Sequence, residues 1–223
     1  MQNTVQLIAA DGHAFNAYIA QPAGTARGAL VVVQEIFGVN SHIRSVADGY
    51  AADGYLAIAP ALFDRVERDV ALGYAESDIQ RGFALRTACT DDNALLDIAA
   101  ALAHVKAAGK AGIVGYCWGG LLSWLAACEV DGLAAAVSYY GGGMPGQSSR
   151  VARCPVLAHF GELDTHIPLD GVRAFGAAQP AVDLQLYPSA QHGFNCDQRG
   201  SFDAASAALA RERTLAFLRR HLG

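Results

Sequence analysis

Short apolar runs alternate with longer amphipathic stretches along the chain, and that rhythm predicts strands separated by helices. Residues 4–8 and 15–20 read as two strands joined at Asp11-Gly12, a hairpin turn. Ala29-Leu30-Val31-Val32-Val33 is apolar at every position, which predicts a strand buried on both faces. Asn40 or Ser41 caps a helix running to about Ala52, and Asp53-Gly54 stops it. Tyr55 begins a short strand, residues 55–59, that Pro60 halts. Residues 63–86 are irregular and richer in charge, with helix in part. Residues 91–108 are rich in Ala and Leu and read as helix ending at Gly109. Gly112-Ile113-Val114 leads into the next strand-to-helix turn. Further strands follow at 134–139, 156–160 and 184–187, with a flexible loop at 141–146 and a last helix over 202–222. An opening hairpin followed by this alternation predicts an α/β fold. Its central sheet is mostly parallel, with an N-terminal antiparallel hairpin and helices on both faces. No linker or repeat interrupts residues 1–223, so one domain is expected. Ligands of such sheets bind beyond the carboxyl ends of the strands.

Composition narrows the function classes. Hydrophobic residues make up 52% and charged residues 17% of the 223, a globular profile with enough chain for a sizeable core. A net charge of −5 and the lack of a basic cluster argue against nucleic acid or an anionic membrane surface as partner. No apolar run reaches transmembrane length, and Met1-Gln2-Asn3-Thr4 lacks the layout of a secretory leader. Five cysteines at irregular spacing, without a Cys-x-x-Cys pair, predict free thiols in a reducing cytoplasm and no metal site. No dinucleotide fingerprint or phosphate loop is present, so no cofactor is expected. A monomer and a small homo-oligomer are equally compatible with the sequence.

The chemistry concentrates at Gly115-Tyr116-Cys117-Trp118-Gly119. An apolar run on each side makes this a strand, one sharp turn and a helix, with a thiol at the apex. Such a nucleophile elbow forces its apex residue into a strained backbone that lifts the side chain clear of the sheet. Small residues two before and two after let strand and helix approach. The helix N-terminus favours a thiolate or an oxyanion beside it. The bland alternative is a buried structural cysteine at a tight turn.

A nucleophilic thiol needs a base, and the base needs an orienting acid. In elbow hydrolases the chain order is nucleophile, acid, histidine. Asp164 falls just past the strand at 156–160, and His192 just past the strand at 184–187. Cys117, Asp164 and His192 thus all follow strand ends on one sheet edge. Glu162 is a rival acid. His166 is a rival base, two residues from Asp164 and poorly placed for a separate role. The remaining histidines lie in hairpin, helical or core-strand positions. Gln34-Glu35-Ile36-Phe37-Gly38-Val39-Asn40 follows the buried strand at 29–33, where this fold supplies an oxyanion donor. The backbone N–H groups of Ile36 and Trp118 are the expected pair, and losing one such donor costs about 100- to 1000-fold in rate. Glu35 falls close to Cys117, either as a carboxylate that raises the thiol pKa and can take its proton, or as a solvated charge at a strand end.

Taken together these segments resemble the dienelactone hydrolase family of α/β-hydrolases. The resemblance rests on the residues 34–40 motif, Gly115-Tyr116-Cys117-Trp118-Gly119-Gly120, Tyr139-Tyr140-Gly141, Gly161-Glu162-Leu163-Asp164 with Pro168, Ala190-Gln191-His192-Gly193-Phe194, and residues 212–218. It implies the α/β-hydrolase fold, a Cys117-His192-Asp164 triad, Glu35 as the residue controlling the thiol, and a pocket lined by Ile36, Phe37 and Tyr140. It further implies opening of a small-molecule lactone or enol ester through a thiol-ester acyl-enzyme, with Glu35 taking the proton of Cys117 as substrate binds.

Dienelactone members of the family hold a substrate carboxylate with pocket arginines. Here Asn195-Cys196-Asp197 replaces the arginine expected shortly after His192, with Arg199 further on, and Arg81 is the candidate for the second. A carboxylesterase acting on small uncharged esters is therefore a competing expectation. A noncatalytic, redox-sensing thiol protein is a third.

Overall fold

The computed structural model describes residues 3–223. Met1 and Gln2, half of the tetrapeptide read against a secretory leader, lie outside the described residues. The chain runs β1 (Thr4–Ile8), β2 (Ala14–Ala20), β3 (Ala29–Val33), α1 (Ser41–Ala52), β4 (Leu56–Pro60), α2 (Glu76–Ala88) and α3 (Asp91–Val105). It continues with β5 (Ala111–Tyr116), α4 (Trp118–Glu129), β6 (Leu133–Tyr139), β7 (Val156–Gly161), α5 (Leu169–Ala178), β8 (Asp183–Tyr187) and α6 (Ala204–His221). Short 3-10 turns occupy Leu62–Arg65, Lys106–Ala108 and Met144–Gln147.

Local chemistry sets several of these boundaries. Asn40, not Ser41, caps α1, its Oδ1 accepting the Ile43 N–H at 3.2 Å. Thr90 Oγ1 accepts from Asn93 N–H at 3.2 Å and starts α3. Asp203 Oδ1 accepts from Ser206 N–H at 2.8 Å, so α6 begins later than its apolar pattern suggested. Helix α5 carried no expectation. The irregular region resolves into the 3-10 turn at Leu62–Arg65 and helix α2, whose polar composition gives it a weak apolar stripe.

The eight strands form one sheet in the order β1-β2-β4-β3-β5-β6-β7-β8. The β1–β2 and β2–β4 pairs are antiparallel, and the remaining pairs are parallel. Helices cover both faces. On one, α1 and α6 are joined by the Arg211–Asp53 ion pair, with the Arg211 guanidinium 4.8 Å from the Tyr50 ring centroid. On the other, α3 packs on α4, and Trp124 of α4 meets Phe175 of α5 edge-on at 5.1 Å. The apolar run of β3 is buried at every position, as its composition predicts for a central parallel strand.

Chain direction across the sheet reverses at β3: its successor β4 lies on one side, while β5 lies on the other. Val33, the last residue of β3, pairs with Gly115 of β5. The loop after β3 and the turn after β5 thus leave the sheet side by side, at the switch point where open α/β sheets build their crevices. Among the described residues no helix is long and apolar enough to cross a membrane.

Candidate active site

Cys117 sits between β5 and α4 with φ 55° and ψ −114°, a left-handed backbone conformation that non-glycine residues seldom adopt. The surroundings hold it there. Its N–H donates to the Tyr139 carbonyl at 3.0 Å, and its own carbonyl accepts from Gly120 N–H at 2.9 Å. A Cβ on Gly115 would overlap the Gly119 carbonyl, and one on Gly119 would overlap the carbonyls of Val33 and Gln34. The two flanking glycines are thus a packing requirement of the elbow, which is why the motif spaces them as it does.

The elbow delivers the thiol to His192. Nε2 of His192 lies 3.1 Å from Cys117 Sγ, and Nδ1 lies 2.7 Å from Asp164 Oδ2. Asp164 is anchored in turn, its Oδ1 accepting the N–H groups of His166 at 2.8 Å and Ile167 at 3.1 Å. Its side chain is fully buried, while the imidazole retains 12% exposure. Burial alone would lower the imidazole pKa; the negative charge at Cys117 and the hydrogen bonds the ring makes to Asp164 and Cys117 outweigh it and raise the pKa well above its ordinary value. The ring is thus placed to accept a proton from the sulfur it faces.

The other expected residues fall around this line. The backbone of Ile36 follows β3, and Trp118 opens α4; among the described residues neither backbone N–H donates to a protein acceptor. Trp118 is fixed by its indole N–H donating to Asp91 Oδ1 at 2.8 Å, by stacking on Phe63 at 5.5 Å, and by Arg86 at 4.8 Å over its ring. Tyr140, expected to line the pocket, is instead fully buried with φ 38° and stands behind the cavity wall, its ring edge-on to His192 at 5.2 Å.

A cavity of about 730 Å³ opens over the thiol, lined by Ile36, Phe37, Ile79, Phe83, Leu121, Cys117, Trp118 and His192 among others. Its size and mostly apolar wall suit a small organic ligand. Two guanidinium groups reach it, those of Arg86 and Arg199. Arg81 is not brought there: it is exposed on α2, and its guanidinium pairs with Glu67. The helical register of α2 puts Arg86 toward the cavity and Arg81 away from it, a choice that an irregular-looking sequence could not reveal.

Glu35 is buried, and its Oε1 lies 3.4 Å from Arg199 Nη1. Among the described residues the hydrogen-bond partner of the Cys117 thiol is His192, so the expected Glu35–Cys117 contact is absent from this geometry. Of the rivals, Glu162 makes no contact with His192 Nδ1, which belongs to Asp164. His166 lines the cavity with its ring 5.3 Å from that of His192.

The dienelactone hydrolase family profile matches residues 15–222. A carboxymethylenebutenolidase of Pseudomonas putida is 34% identical over 221 residues, covering 93% of this chain and 92% of its own. A solved structure from Klebsiella pneumoniae, provisionally named a dienelactone hydrolase, superposes with a TM-score of 0.81 at 31% identity, over 96% of this chain and 97% of that one. A Pyrococcus furiosus esterase shares the fold at a TM-score of 0.72 and 15% identity, over 99% and 92% of the two chains. With nearly its whole length matched, the chain belongs to the dienelactone hydrolase family and is a hydrolase of the α/β-hydrolase fold.

Proposed function

We propose that the protein opens a lactone or enol ester, with Cys117 as nucleophile and a thiol-ester acyl-enzyme as intermediate. The observation that carries this reading is the continuous line from Asp164 through His192 to the Cys117 sulfur, 2.7 and 3.1 Å between successive atoms. His192 takes the thiol proton, and the thiolate attacks the ester carbonyl carbon. Charge developing on the carbonyl oxygen is received by the N–H groups of Ile36 and Trp118. The tetrahedral adduct collapses and expels the enolate, which takes the proton from the imidazolium. Acylation removes the thiolate charge, so the ring's pKa falls and it can deprotonate water. Hydroxide attack and a second collapse release the acid and restore the thiol.

The resemblance assigned the thiol proton to Glu35. The geometry supports a different division: His192 serves the sulfur, and Glu35 neutralises Arg199, whose guanidinium also lies 5.7 Å from the Phe37 ring centroid. A substrate carboxylate would then compete with Glu35 for Arg199. The irregular free cysteines and net charge of −5 support cytoplasmic action on a small molecule, without nucleic acid or membrane.

A neutral-ester carboxylesterase is the second reading, favoured by the partners both cavity arginines already have: Glu35 for Arg199 and Asp91 for Arg86. The deciding experiment compares a carboxylate-bearing dienelactone with nitrophenyl acetate. Cys117→Ala removes turnover of both; unchanged turnover eliminates the thiol as nucleophile. Arg199→Met lowers kcat/KM for the anionic lactone about 10- to 100-fold more than for the neutral ester, the worth of one charge-assisted hydrogen bond. Equal effects on both substrates favour the carboxylesterase.

A further inference from the structure

Beside Arg199, three side chains converge from separate segments: Glu35 from the loop after β3, His42 from the first turn of α1, and Cys196 from the loop before α6. A carboxylate oxygen, a ring nitrogen and the sulfur all lie within 4.8 Å of one another. Exposure is 1% for Glu35, 3% for His42 and 0% for Cys196. Two buried atoms of this group, Glu35 Oε2 and His42 Nε2, have no hydrogen-bond partner. Each such atom costs about 1–3 kcal/mol when left unsatisfied, so two in one cluster call for an occupant.

The ring of His42 is already oriented for one. Its Nδ1 lies 3.4 Å from the carboxylate of Asp197, an exposed side chain. A carboxylate there favours the proton on Nδ1 and leaves the Nε2 lone pair free, the arrangement that holds metal-binding imidazoles. Arg199 occupies only Oε1 of Glu35, leaving Oε2 available. Imidazole, thiol and carboxylate together suit zinc-class ions; magnesium and calcium prefer oxygen alone. Tetrahedral bonds of about 2.0–2.3 Å bring ligand atoms to roughly 3.3–3.8 Å from one another, a closure of about an ångström from the present spread. A thiolate and a carboxylate cancel the charge of a dication, which tempers its repulsion from Arg199.

We infer that Glu35, His42 and Cys196 form a binding site for a thiophilic divalent cation of the zinc class, with Asp197 orienting His42. Binding releases the Cys196 proton to solvent. The bound ion ties the loop carrying Ile36 to the loop that follows His192. The site is independent of the hydrolytic reading, and its test uses no ester.

The full-length chain is titrated with Co2+ and followed by its cobalt–thiolate charge-transfer absorption, in the native protein and in Cys117→Ser, which removes the other thiol facing an imidazole. Both bind one ion with the thiolate band, and Cys196→Ser loses it. Asp197→Asn, at an exposed side chain, weakens binding about 10- to 100-fold. Zn2+ raises the melting temperature of the native chain in a concentration-dependent way. Loss of the band in Cys117→Ser with retention in Cys196→Ser places the ion on the elbow thiol and overturns the inference. So does an absence of binding, which assigns the two free atoms to buried water, and so does a Co2+ affinity untouched by Asp197→Asn. If Cys196→Ser does not fold, His42→Gln and Asp197→Asn decide the matter.

Discussion

Gly82 of helix α2 lies directly against the backbone carbonyl of Ile36; a Cβ at position 82 would overlap that oxygen. The residue that carries the proposed oxyanion donor therefore leans, through the peptide that follows it, on a helix that the sequence barely announces. Gly82→Ala should push the Ile36 loop out of place. Expected is a fall in kcat of about 10- to 100-fold, part of what complete loss of one donor costs. A melting temperature within a few degrees of native separates this from unfolding. An unchanged kcat removes Ile36 from the oxyanion site.

The His192–Cys117 contact predicts how the sulfur reacts. His192 Nε2 lies 3.1 Å from the sulfur, and Asp164 holds the ring from its other nitrogen at 2.7 Å, so the ring should assist ionisation of the sulfur. Iodoacetamide at pH 7 should alkylate Cys117 faster in the native protein than in His192→Ala. In His192→Ala the reaction should follow an ordinary thiol, rising only toward a pKa of about 8.5. Superimposable pH profiles would dissociate the ring from the sulfur.

His159 predicts a pH-dependent stability. It is fully buried, with Nδ1 2.8 Å from the Tyr187 hydroxyl and Nε2 3.0 Å from Thr214 Oγ1. Burial, with help from Arg213, lowers its pKa to about 3. The unfolded chain protonates this ring near pH 6.5, the native chain only near 3. Between those values the unfolded state binds the extra proton, so stability rises with pH by up to ~1.4 kcal/mol per unit. His159→Gln should be less stable at pH 7 and lose less on acidification to pH 4. Urea midpoints at pH 4, 5 and 7 check this; parallel curves would contradict it.

Asp97 anchors the 3-10 turn after β4 to α3. It is fully buried and accepts two hydrogen bonds from Arg65, each at 2.8 Å. Asp97→Ala leaves a largely buried guanidinium short of its main partner and should cost ~3 kcal/mol, read from denaturant unfolding. A loss below ~1 kcal/mol would mean that exposed Asp11, the other partner of Arg65, suffices.

Much of this arrangement was legible in the chain. The all-apolar Ala29–Val33 run and the small residues around Cys117 fixed the two central strands and the turn between them, because burial and close approach restrict residue type sharply. Cys117, Asp164 and His192 were readable because each follows a strand. Strand order was not: nothing local in β3 or β4 says that β3 sits between β4 and β5. Helix α5 leaves little signal in the chain because it begins after Pro168 without a side-chain cap. Only the register of α2 separates Arg86, at the cavity, from Arg81, paired with Glu67. The Glu35–Arg199 pair and the Glu35–His42–Cys196 cluster join residues far apart in sequence, where spacing carries no signal.

The reversal of strand order at the middle of the sheet has a consequence for biosynthesis. The loop after β3 and the turn after β5 become neighbours only once β3 and β5 have paired, and His192 arrives later still, from the loop after β8. A nascent chain emerging from the ribosome thus carries Cys117 without its histidine partner, and the proposed hydrolytic activity would appear only when β8 and the loop after it dock.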